Sequence, residues 1–192
     1  MPEGPVEVSV IIPCYNEGSL LKNNVSKLES KLLEIGKSFE LIFVDDCSVD
    51  NTVQQITEIV SNNPSYRKIL NPENIGRGGA FKIGAENAQG RIIGYLDIDL
   101  EVSEDYLPDV IRELDLGADV CTVYRDYKLK WHPVFLLRAI LSKGYKRLVR
   151  SYLNLPLKDT ETGFKFFNSS GDLTSYSKLV VVLSVTLPIY LR

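Results

Sequence analysis

The sequence predicts an α/β fold with a mostly parallel, doubly wound sheet that is covered by helices. Two observations lead to this prediction. Short apolar segments rich in β-branched residues alternate with longer segments whose apolar residues recur at helical spacing. The short segments are also nearly continuous in apolar residues, which is typical of strands buried on both faces of a parallel sheet.

The first half of the alternation is read directly from the residues. The first strand is predicted at 6–13, where "VEVSVIIP" is apolar and β-branched and closes at a proline. The helix predicted at 17–35 carries its leucines, valine and isoleucine at a helical period. "FELIFV" at 39–44 is the second strand, and "DDCSVDNT" then leads into a helix at 53–60.

The alternation continues to residue 124. "YRKIL" is a short third strand, and the glycine-rich "NIGRGG" opens a helix that ends near 89–90. "RIIGYLD" at 91–97 is the fourth strand, and "SEDYLPDVIREL" is a helix with Ser103 as its N-cap. "ADVCTVY" at 118–124 is the fifth strand.

The charge distribution changes after this alternation. Residues 1–124 hold 10 basic and 21 acidic side chains, whereas residues 125–150 hold 8 basic and 1 acidic ones. This asymmetry predicts two surfaces with different partners. The basic segment is either a solvated cationic helix or an interfacial helix that dips toward lipid and meets anionic head groups. Nucleic acid is a poor partner because the rest of the chain is acidic.

The composition is that of a soluble globular protein, with 44% hydrophobic and 24% charged residues. The first residues lack the basic and apolar regions of a signal peptide. The three cysteines are widely spaced, so we expect reduced core thiols in a cytosolic protein. The C-terminal "KLVVVLSVTLPIYLR" is shorter than the roughly 20 apolar residues of a membrane-spanning helix, so we expect a buried strand or the remnant of a longer chain.

Polar residues collect where the predicted strands end. "PCYNEG", "DDCSVDNT", "DIDLE" and "YRDYK" follow the first, second, fourth and fifth strands. Ligands bind beyond the carboxyl ends of the strands in an open parallel sheet, so this edge is the expected site. Each motif alone has a simpler explanation: Asp45 and Asp46 could form a turn and a helix cap, and "NIGRGG" could be only a glycine turn. "NIGRGG" is neither a P-loop nor a dinucleotide fingerprint, because no Gly-Lys-Ser/Thr follows it and it comes after the third strand.

Asp97 and Asp99 stand at the end of the apolar fourth strand. Residues i and i+2 of an extended chain point the same way, so both carboxylates are expected to face one cation. Ligands that are all oxygen atoms suit Mg²⁺ or Mn²⁺. The single histidine, His132, argues against a Ser-His-Asp triad and against a histidine-rich zinc site.

Four segments, "VSVIIPCYNEG", "ELIFVDDCSVDNT", "NIGRGGAFKIG" and "GYLDIDLEVS", resemble family 2 inverting glycosyltransferases in their order and spacing. The resemblance covers about residues 7–124 and implies the GT-A fold, a Rossmann-like three-layer sandwich. "DTETGFKFF", Arg125 and "RAILSKG" extend it to the group that transfers glucose or mannose to dolichyl or polyprenyl phosphate. It implies a nucleotide-sugar-binding core (1–124), a basic acceptor or membrane-surface segment (125–158), and an acceptor-side strand with an atypical tail (159–192).

The resemblance also implies roles, residue by residue. Tyr15 would pack on the nucleobase and Asp45 would hydrogen-bond its edge, and the same pocket would be shaped by Pro13, Glu17 and Asp46. Asp97 and Asp99 would hold Mg²⁺ or Mn²⁺ against the donor diphosphate. The phosphate-binding candidates are Arg77 and Lys82 for the donor and Arg125, Arg138 and Lys165 for the acceptor.

The expected function is transfer of a hexose from a UDP- or GDP-hexose to polyprenyl phosphate, with inversion, by a cytoplasmic protein bound peripherally at the cytosolic membrane face. A family 2 transferase that acts on a saccharide acceptor is one alternative. A binding module that lost catalysis is another, because "NSSGDLTSYSKLVVVLSVTLPIYLR" does not resemble the element that family members carry there. A sugar nucleotidylyltransferase is disfavoured, since no glycine-rich nucleotide loop follows the first strand.

Overall fold

The computed structural model describes residues 4–127, 162–169 and 180–187. The alternating helices and strands expected from the sequence are present in these residues. In chain order they are β1 Val8–Cys14, α1 Gly18–Ile35, β2 Phe39–Asp45, α2 Thr52–Ser61, β3 Tyr66–Leu70, α3 Gly76–Glu86, β4 Ile92–Leu96, the 3₁₀ turn Glu104–Tyr106, α4 Leu107–Asp115, β5 Val120–Tyr127, β6 Phe164–Asn168 and β7 Val180–Leu187.

The strands form one sheet in the order β3-β2-β1-β4-β6-β5-β7. β1 pairs in parallel with both β2 and β4, and β5 pairs in parallel with β7. β6 is antiparallel to its two neighbours, β4 and β5. The predicted mostly parallel sheet is therefore confirmed. The chain moves outward from β1 toward β3 on one side and from β4 on the other, so the topological switch point lies between β1 and β4.

Helices cover both faces of the sheet. Leu28 of α1, Ile56 of α2 and Leu114 of α4 belong to one apolar cluster with residues of the strands. Ala80 of α3 packs in a second cluster on the opposite face, together with Ile11 and other strand residues. The architecture is thus the expected three-layer sandwich. Every residue of β1 is buried, in agreement with its continuous apolar sequence.

Element bounds differ from the predictions by a few residues. Ser103 is the predicted cap, since its Oγ accepts a hydrogen bond of 3.2 Å from the backbone N–H of Asp105, but the helix begins with a 3₁₀ turn before α4. α3 ends at Glu86 rather than near 89–90. The expectation of core thiols is wrong for Cys47, which is exposed. Within the described ranges no helix is both long enough and apolar enough to span a bilayer.

A buried ionic network lies near the amino ends of the central strands, away from the edge where the motifs collect. Glu40 of β2 is only 3% exposed. Its Oε1 accepts from the Ser9 hydroxyl at 2.5 Å and from the backbone N–H of Gln89 at 2.8 Å. Its Oε2 faces the Arg67 guanidinium at 2.5 Å. One carboxylate therefore joins β1, β2, β3 and the segment before β4.

Replacing Glu40 by alanine is expected to lower the free energy of unfolding by about 3 kcal/mol. The change removes the acceptor of a buried hydroxyl and a backbone N–H, and it leaves the Arg67 guanidinium with the Asn87 carbonyl but no carboxylate. Urea unfolding followed by circular dichroism measures the loss. Glu34→Ala is the matched control, because Glu34 is 63% exposed and pairs across the surface with Lys31. Equal losses in the two variants would contradict a stabilising role for the network.

Candidate functional site

A cleft of about 460 Å³ opens at the carboxyl ends of β1 and β4, the switch point of the sheet. Its walls come from the residues that follow these two strands and from the start of α3. The lining residues are Pro13, Cys14, Tyr15, Glu17, Asp46, Asn74, Gly76, Arg77, Ala80, Asp97, Ile98 and Asp99.

The cleft brings together seven of the residues selected from the sequence: Pro13, Tyr15, Glu17, Asp46, Arg77, Asp97 and Asp99. Asp45, Lys82 and Lys165 are not among its lining residues. Lys82 lies on α3 with its ammonium 3.9 Å from the Glu86 carboxylate, so the expected contact with donor phosphates is not supported by its position. Arg138 and the side chain of Arg125 lie outside the described residues.

Asp97 and Asp99 occupy a turn rather than an extended segment. β4 ends at Leu96, and the carbonyl of Asp97 accepts a 3.2 Å hydrogen bond from the backbone N–H of Leu100. Leu100 has a φ of 51°, in the left-handed region. The extended geometry that we expected is therefore wrong. The two carboxylates nevertheless line the same cleft, because the turn folds back beside the end of β1.

The Asp97 side chain is held from two sides. Its Oδ1 accepts a 2.7 Å hydrogen bond from the Tyr95 hydroxyl. Its Oδ2 lies 3.2 Å from Nη1 of the Arg77 guanidinium. The Asp97 backbone N–H donates to the carbonyl of Gly163 at 2.9 Å, which attaches the turn to the start of β6.

Gly163 approaches the Asp97 carboxylate closely. A Cβ atom at this position would lie 1.9 Å from Asp97 Oδ2 and 2.9 Å from Asp97 Cβ. The glycine of the "GFKFF" segment is thus required, because a side chain at residue 163 would collide with the Asp97 carboxylate. The start of β6, far along the chain, therefore restricts the position of Asp97, a candidate metal ligand.

Tyr95 is itself fixed by aromatic packing. Its ring makes an edge contact with Phe81 of α3, with ring centroids 5.5 Å apart. Burial, and next the hydrogen bond and charge of Asp97, raise the pKa of the Tyr95 hydroxyl above its ordinary value. The phenol therefore remains a hydrogen-bond donor to Asp97 at physiological pH.

Negative charge is concentrated around Glu17. Burial raises the pKa of the Glu17 carboxyl, and the nearby charges of Asp99 and Asp97 raise it further. Glu17 is positioned just before α1, where its backbone N–H donates to Thr52 Oγ1 at 2.8 Å. The cleft thus concentrates negative charge, an electrostatic environment that favours a cation.

Glu17→Gln is expected to stabilise the fold near pH 7 in the absence of divalent cations. A carboxyl whose folded pKa is raised contributes stability that is full below its unfolded pKa and is lost as the pH rises through the folded pKa. The melting temperatures of the two proteins should therefore converge near pH 4 and diverge toward pH 7. Thermal melts in a chelator across this range measure the difference. A lower melting temperature for the variant at pH 7 would contradict the electrostatic explanation.

The neighbouring residues Asp45 and Asp46 make different contacts. Asp46 Oδ1 accepts from the backbone N–H of Ile75 at 2.9 Å, and Oδ2 accepts from that of Gly76 at 2.8 Å. Burial alone would raise the pKa of Asp46, but these hydrogen bonds and one from Asn71 lower it. Asp46 therefore satisfies two backbone N–H groups at the start of α3, rather than capping the helix that follows it in sequence, and it also lines the cleft.

One acceptor of Asp45 has no partner among the described residues. It is 2% exposed at the end of β2, and its Oδ2 accepts from the backbone N–H of Ser48 at 3.1 Å. Its Oδ1 is buried and has no hydrogen-bond partner in the part of the chain that is described. Asp45 pairs in register with Cys14 of β1, which lines the cleft.

Lys165 lies one strand away from the cleft. It pairs directly across from Tyr95 in the antiparallel β4–β6 register, so the two side chains share one face of the sheet. Tyr95 and Gly163 were not selected from the sequence, and neither was Asn74, which lines the cleft. The signal for Tyr95 is its i, i+2 relation to Asp97. The contact of Gly163 depends on strand order, which the sequence does not specify.

The residues present suit a hard divalent cation bound by few protein ligands. Asp97 and Asp99 supply oxygen atoms only, and the Arg77 guanidinium already places a positive charge on Asp97 Oδ2. The described residues contain no group of three or more His, Cys, Asp or Glu that could hold a metal. Two carboxylates would leave the other coordination positions to water and substrate phosphate, as Mg²⁺ and Mn²⁺ commonly accept.

The family model for glycosyl transferase family 2 matches residues 9–175, most of the chain. The chain belongs to glycosyl transferase family 2. This membership confirms the family expected from the four ordered motifs.

Two relatives illustrate how the family 2 chain compares with curated proteins. This chain is 31% identical to glycosyltransferase AglD of Haloferax volcanii over 173 residues. The matched region covers 85% of this chain and 27% of AglD. The chain is 28% identical over 161 residues to the putative glycosyltransferase CsbB of Bacillus subtilis, covering 84% of this chain and 48% of that protein. The chain therefore spans between a quarter and half the length of these relatives.

The fold is shared with a mannosyltransferase of Pyrobaculum calidifontis that was solved with GDP-mannose and Mn²⁺. The TM-score is 0.55 at 23% identity, over 64% of this chain and 38% of that one. At this level of identity the likeness establishes the fold alone. The expected GT-A fold is confirmed.

Proposed function

We propose that this family 2 chain transfers a hexose from a UDP- or GDP-hexose to polyprenyl phosphate, with inversion. The observation that carries the proposal is the placement of Asp97 and Asp99 in one cleft with Tyr15 and Glu17, at the switch point of a GT-A sheet. A mannosyltransferase of the same fold was solved with GDP-mannose and Mn²⁺, which supports the same donor class here.

The nucleoside is proposed to lie against the β1 side of the cleft. Tyr15 lines the cleft and is 50% exposed, so its ring is free to stack on a base. The unpartnered Oδ1 of Asp45 retains capacity for a donor such as a base N–H.

The diphosphate is proposed to lie against the β4 side. Asp97 and Asp99 would hold Mg²⁺ or Mn²⁺, which supplies Lewis-acid stabilisation of the charge that develops on the departing diphosphate. Tyr95 and Gly163 fix the Asp97 carboxylate, and Arg77 adds a guanidinium to the same wall. The acceptor would then attack the anomeric carbon from the face opposite the leaving group, and the configuration inverts.

The acceptor is proposed to approach from the side of β5 and β6. β5 ends and β6 begins at the sheet edge that carries Asp97, since Leu96 pairs with Phe164. The chain between them contains most of the basic segment, which holds 8 cations in residues 125–150. A phosphate acceptor is already anionic near neutral pH, so cations to hold it matter more than a strong general base. Arg125, Arg138 and Lys165 are the proposed ligands.

A panel of nucleotide sugars with and without Mn²⁺ tests the donor side, with melting temperature as the readout. We expect a UDP- or GDP-hexose to raise the melting temperature only when the cation is present. Transfer of labelled hexose to a short-chain polyprenyl phosphate tests the reaction, and a saccharide acceptor serves as the comparison. Binding without turnover on either acceptor would instead support a nucleotide-sugar-binding module.

The membrane location is proposed from the same basic segment. We propose a cytoplasmic protein held peripherally at the cytosolic membrane face by Lys143, Lys146, Arg147 and Arg150, which lie outside the described residues. Flotation with vesicles of neutral and anionic lipid tests this location. Replacement of the four cations by glutamine is expected to abolish salt-sensitive binding to the anionic vesicles, and unchanged flotation would refute the proposal.

A further inference from the structure

The two oxygens of Asp97 are in different situations. Oδ1 accepts the Tyr95 hydroxyl at 2.7 Å, a short contact made by a side chain that is packed against Phe81. Oδ2 faces Arg77 at 3.2 Å, and the Arg77 side chain is 76% exposed. The first contact is partly buried and is made by a packed ring, whereas the second is made by a long, largely exposed side chain. The phenol is therefore the permanent partner of Asp97 and the guanidinium is the replaceable one.

A cation that enters the cleft would bind Asp97 through Oδ2, because Oδ1 already accepts the hydrogen bond of the Tyr95 phenol. Oδ1 is directed to the phenol, and Gly163 closes the carboxylate from the side of β6, where even a methyl group would lie 1.9 Å from Oδ2. Arg77 lines the cleft and holds the remaining approach to Oδ2. The guanidinium and a divalent cation therefore compete for the same oxygen.

We infer that Arg77 is an internal counter-cation of Asp97, which a divalent cation displaces from Oδ2 so that the guanidinium turns to the donor diphosphate. This inference rests on the proposed function of the cleft. Displacement is feasible because an exposed ion pair of this kind changes an equilibrium by only about two- to fivefold. The guanidinium keeps its place in the cleft wall after release, where its planar donors match phosphate oxygens.

The exchange gives Arg77 opposite effects on two equilibria. Without a nucleotide, Arg77 competes with the cation and weakens its binding. With a nucleoside diphosphate present, the displaced guanidinium contacts the ligand and strengthens the ternary complex. Cation and nucleotide are then coupled through one side chain, and by linkage each increases the affinity for the other. A residue that only stabilised the fold would not change sign between the two conditions.

Arg77→Gln separates the two effects. Binding of Mn²⁺ alone, followed by electron paramagnetic resonance of the free ion, is expected to become about two- to fivefold tighter in this variant. Binding of UDP or GDP at saturating Mn²⁺, followed by calorimetry, is expected to become about tenfold weaker, since a charge-assisted hydrogen bond is lost. Arg112→Gln is the matched control, because Arg112 is 63% exposed on α4 and pairs with Asp109 and Glu113 outside the cleft.

The guanidinium itself provides a second readout. The side-chain N–H signal of Arg77 in a ¹⁵N spectrum is assigned by its loss in Arg77→Gln, and it is expected to shift as diamagnetic Mg²⁺ is titrated. The Arg112 signal is expected to stay unchanged. Equal Mn²⁺ affinity in wild type and Arg77→Gln, with an unmoved Arg77 signal, would overturn the inference and leave the proposed donor site intact. Absence of any Mn²⁺ or nucleotide binding in wild type would overturn the proposed function and the inference together.

Discussion

Asp99→Asn is expected to lower cation-dependent affinity for a nucleoside diphosphate by about 100-fold or more, and to reduce transfer to a similar extent. The substitution keeps the shape of the side chain and an oxygen that can accept the 3.0 Å hydrogen bond from the Glu101 backbone N–H. It removes one of two carboxylates proposed to hold the cation. Loss of a supporting contact in a metal site already costs about 10- to 100-fold, so loss of a ligand should exceed that range.

The measurement is a calorimetric titration of UDP or GDP with Mn²⁺ and with chelator, on wild type and variant. Without cation the variant should melt at the same temperature or slightly higher, because the Asp99 charge also raises the pKa of Glu17. Asp109→Asn is the control for the change of charge, since Asp109 lies on α4 and pairs with Arg112. Unchanged cation dependence in Asp99→Asn would remove the metal site from the proposal.

Gly163→Ala is expected to reduce cation-dependent nucleotide affinity by about 10- to 100-fold, although residue 163 contacts neither ligand in the proposed complex. The new Cβ would lie 1.9 Å from Asp97 Oδ2, so the carboxylate has to move from its position beside Tyr95. Overpacking should also lower the free energy of unfolding by about 1–3 kcal/mol. Nucleotide titrations at a temperature well below both melting transitions separate binding from stability.

Gly94→Ala provides the control for overpacking. A Cβ at residue 94 would lie 2.0 Å from the Phe166 ring, in the apolar core and away from the Asp97 carboxylate. It should lose stability to a similar extent while the folded protein keeps its response to Mn²⁺. If Gly163→Ala kept the same Mn²⁺ response as Gly94→Ala, the proposed support of Asp97 by β6 would be wrong.

Most helices and strands of this fold could be predicted from short segments of the sequence. β1 and β2 are predominantly apolar segments that are buried at every position, and α1 carries its apolar residues on one side before Gly36 ends it with a φ of 75°. Such signals lie within a few residues of each other, so they can be read without knowledge of tertiary contacts. The reversed direction of β6 could not be read this way, because it depends on which strands become neighbours.

The site shows the same division between local and distant causes. The collection of polar residues at the strand ends predicted the cleft walls from β1 and β4, including Pro13, Glu17 and Asp97. The turn at Asp99 was missed because a left-handed Leu100 is uncommon and has no sequence signal. Lys82, like Arg77, was selected because it lies near the glycine turn, but it pairs with Glu86 and is not among the residues that line the cleft. Helical geometry thus separated two cations that the sequence places together.

The antiparallel insertion of β6 between β4 and β5 also bears on how such a protein can diversify. The chain leaves β5 and re-enters at β6 on the edge that holds Asp97, so the sheet fixes both ends of the connection between these strands beside the cleft. Under the proposed function, replacing the residues of this connection would change the acceptor and leave the donor-side residues of β1 and β4 in place. Chimaeras that swap residues 128–161 between family members are then expected to use the acceptor of the parent that supplied those residues.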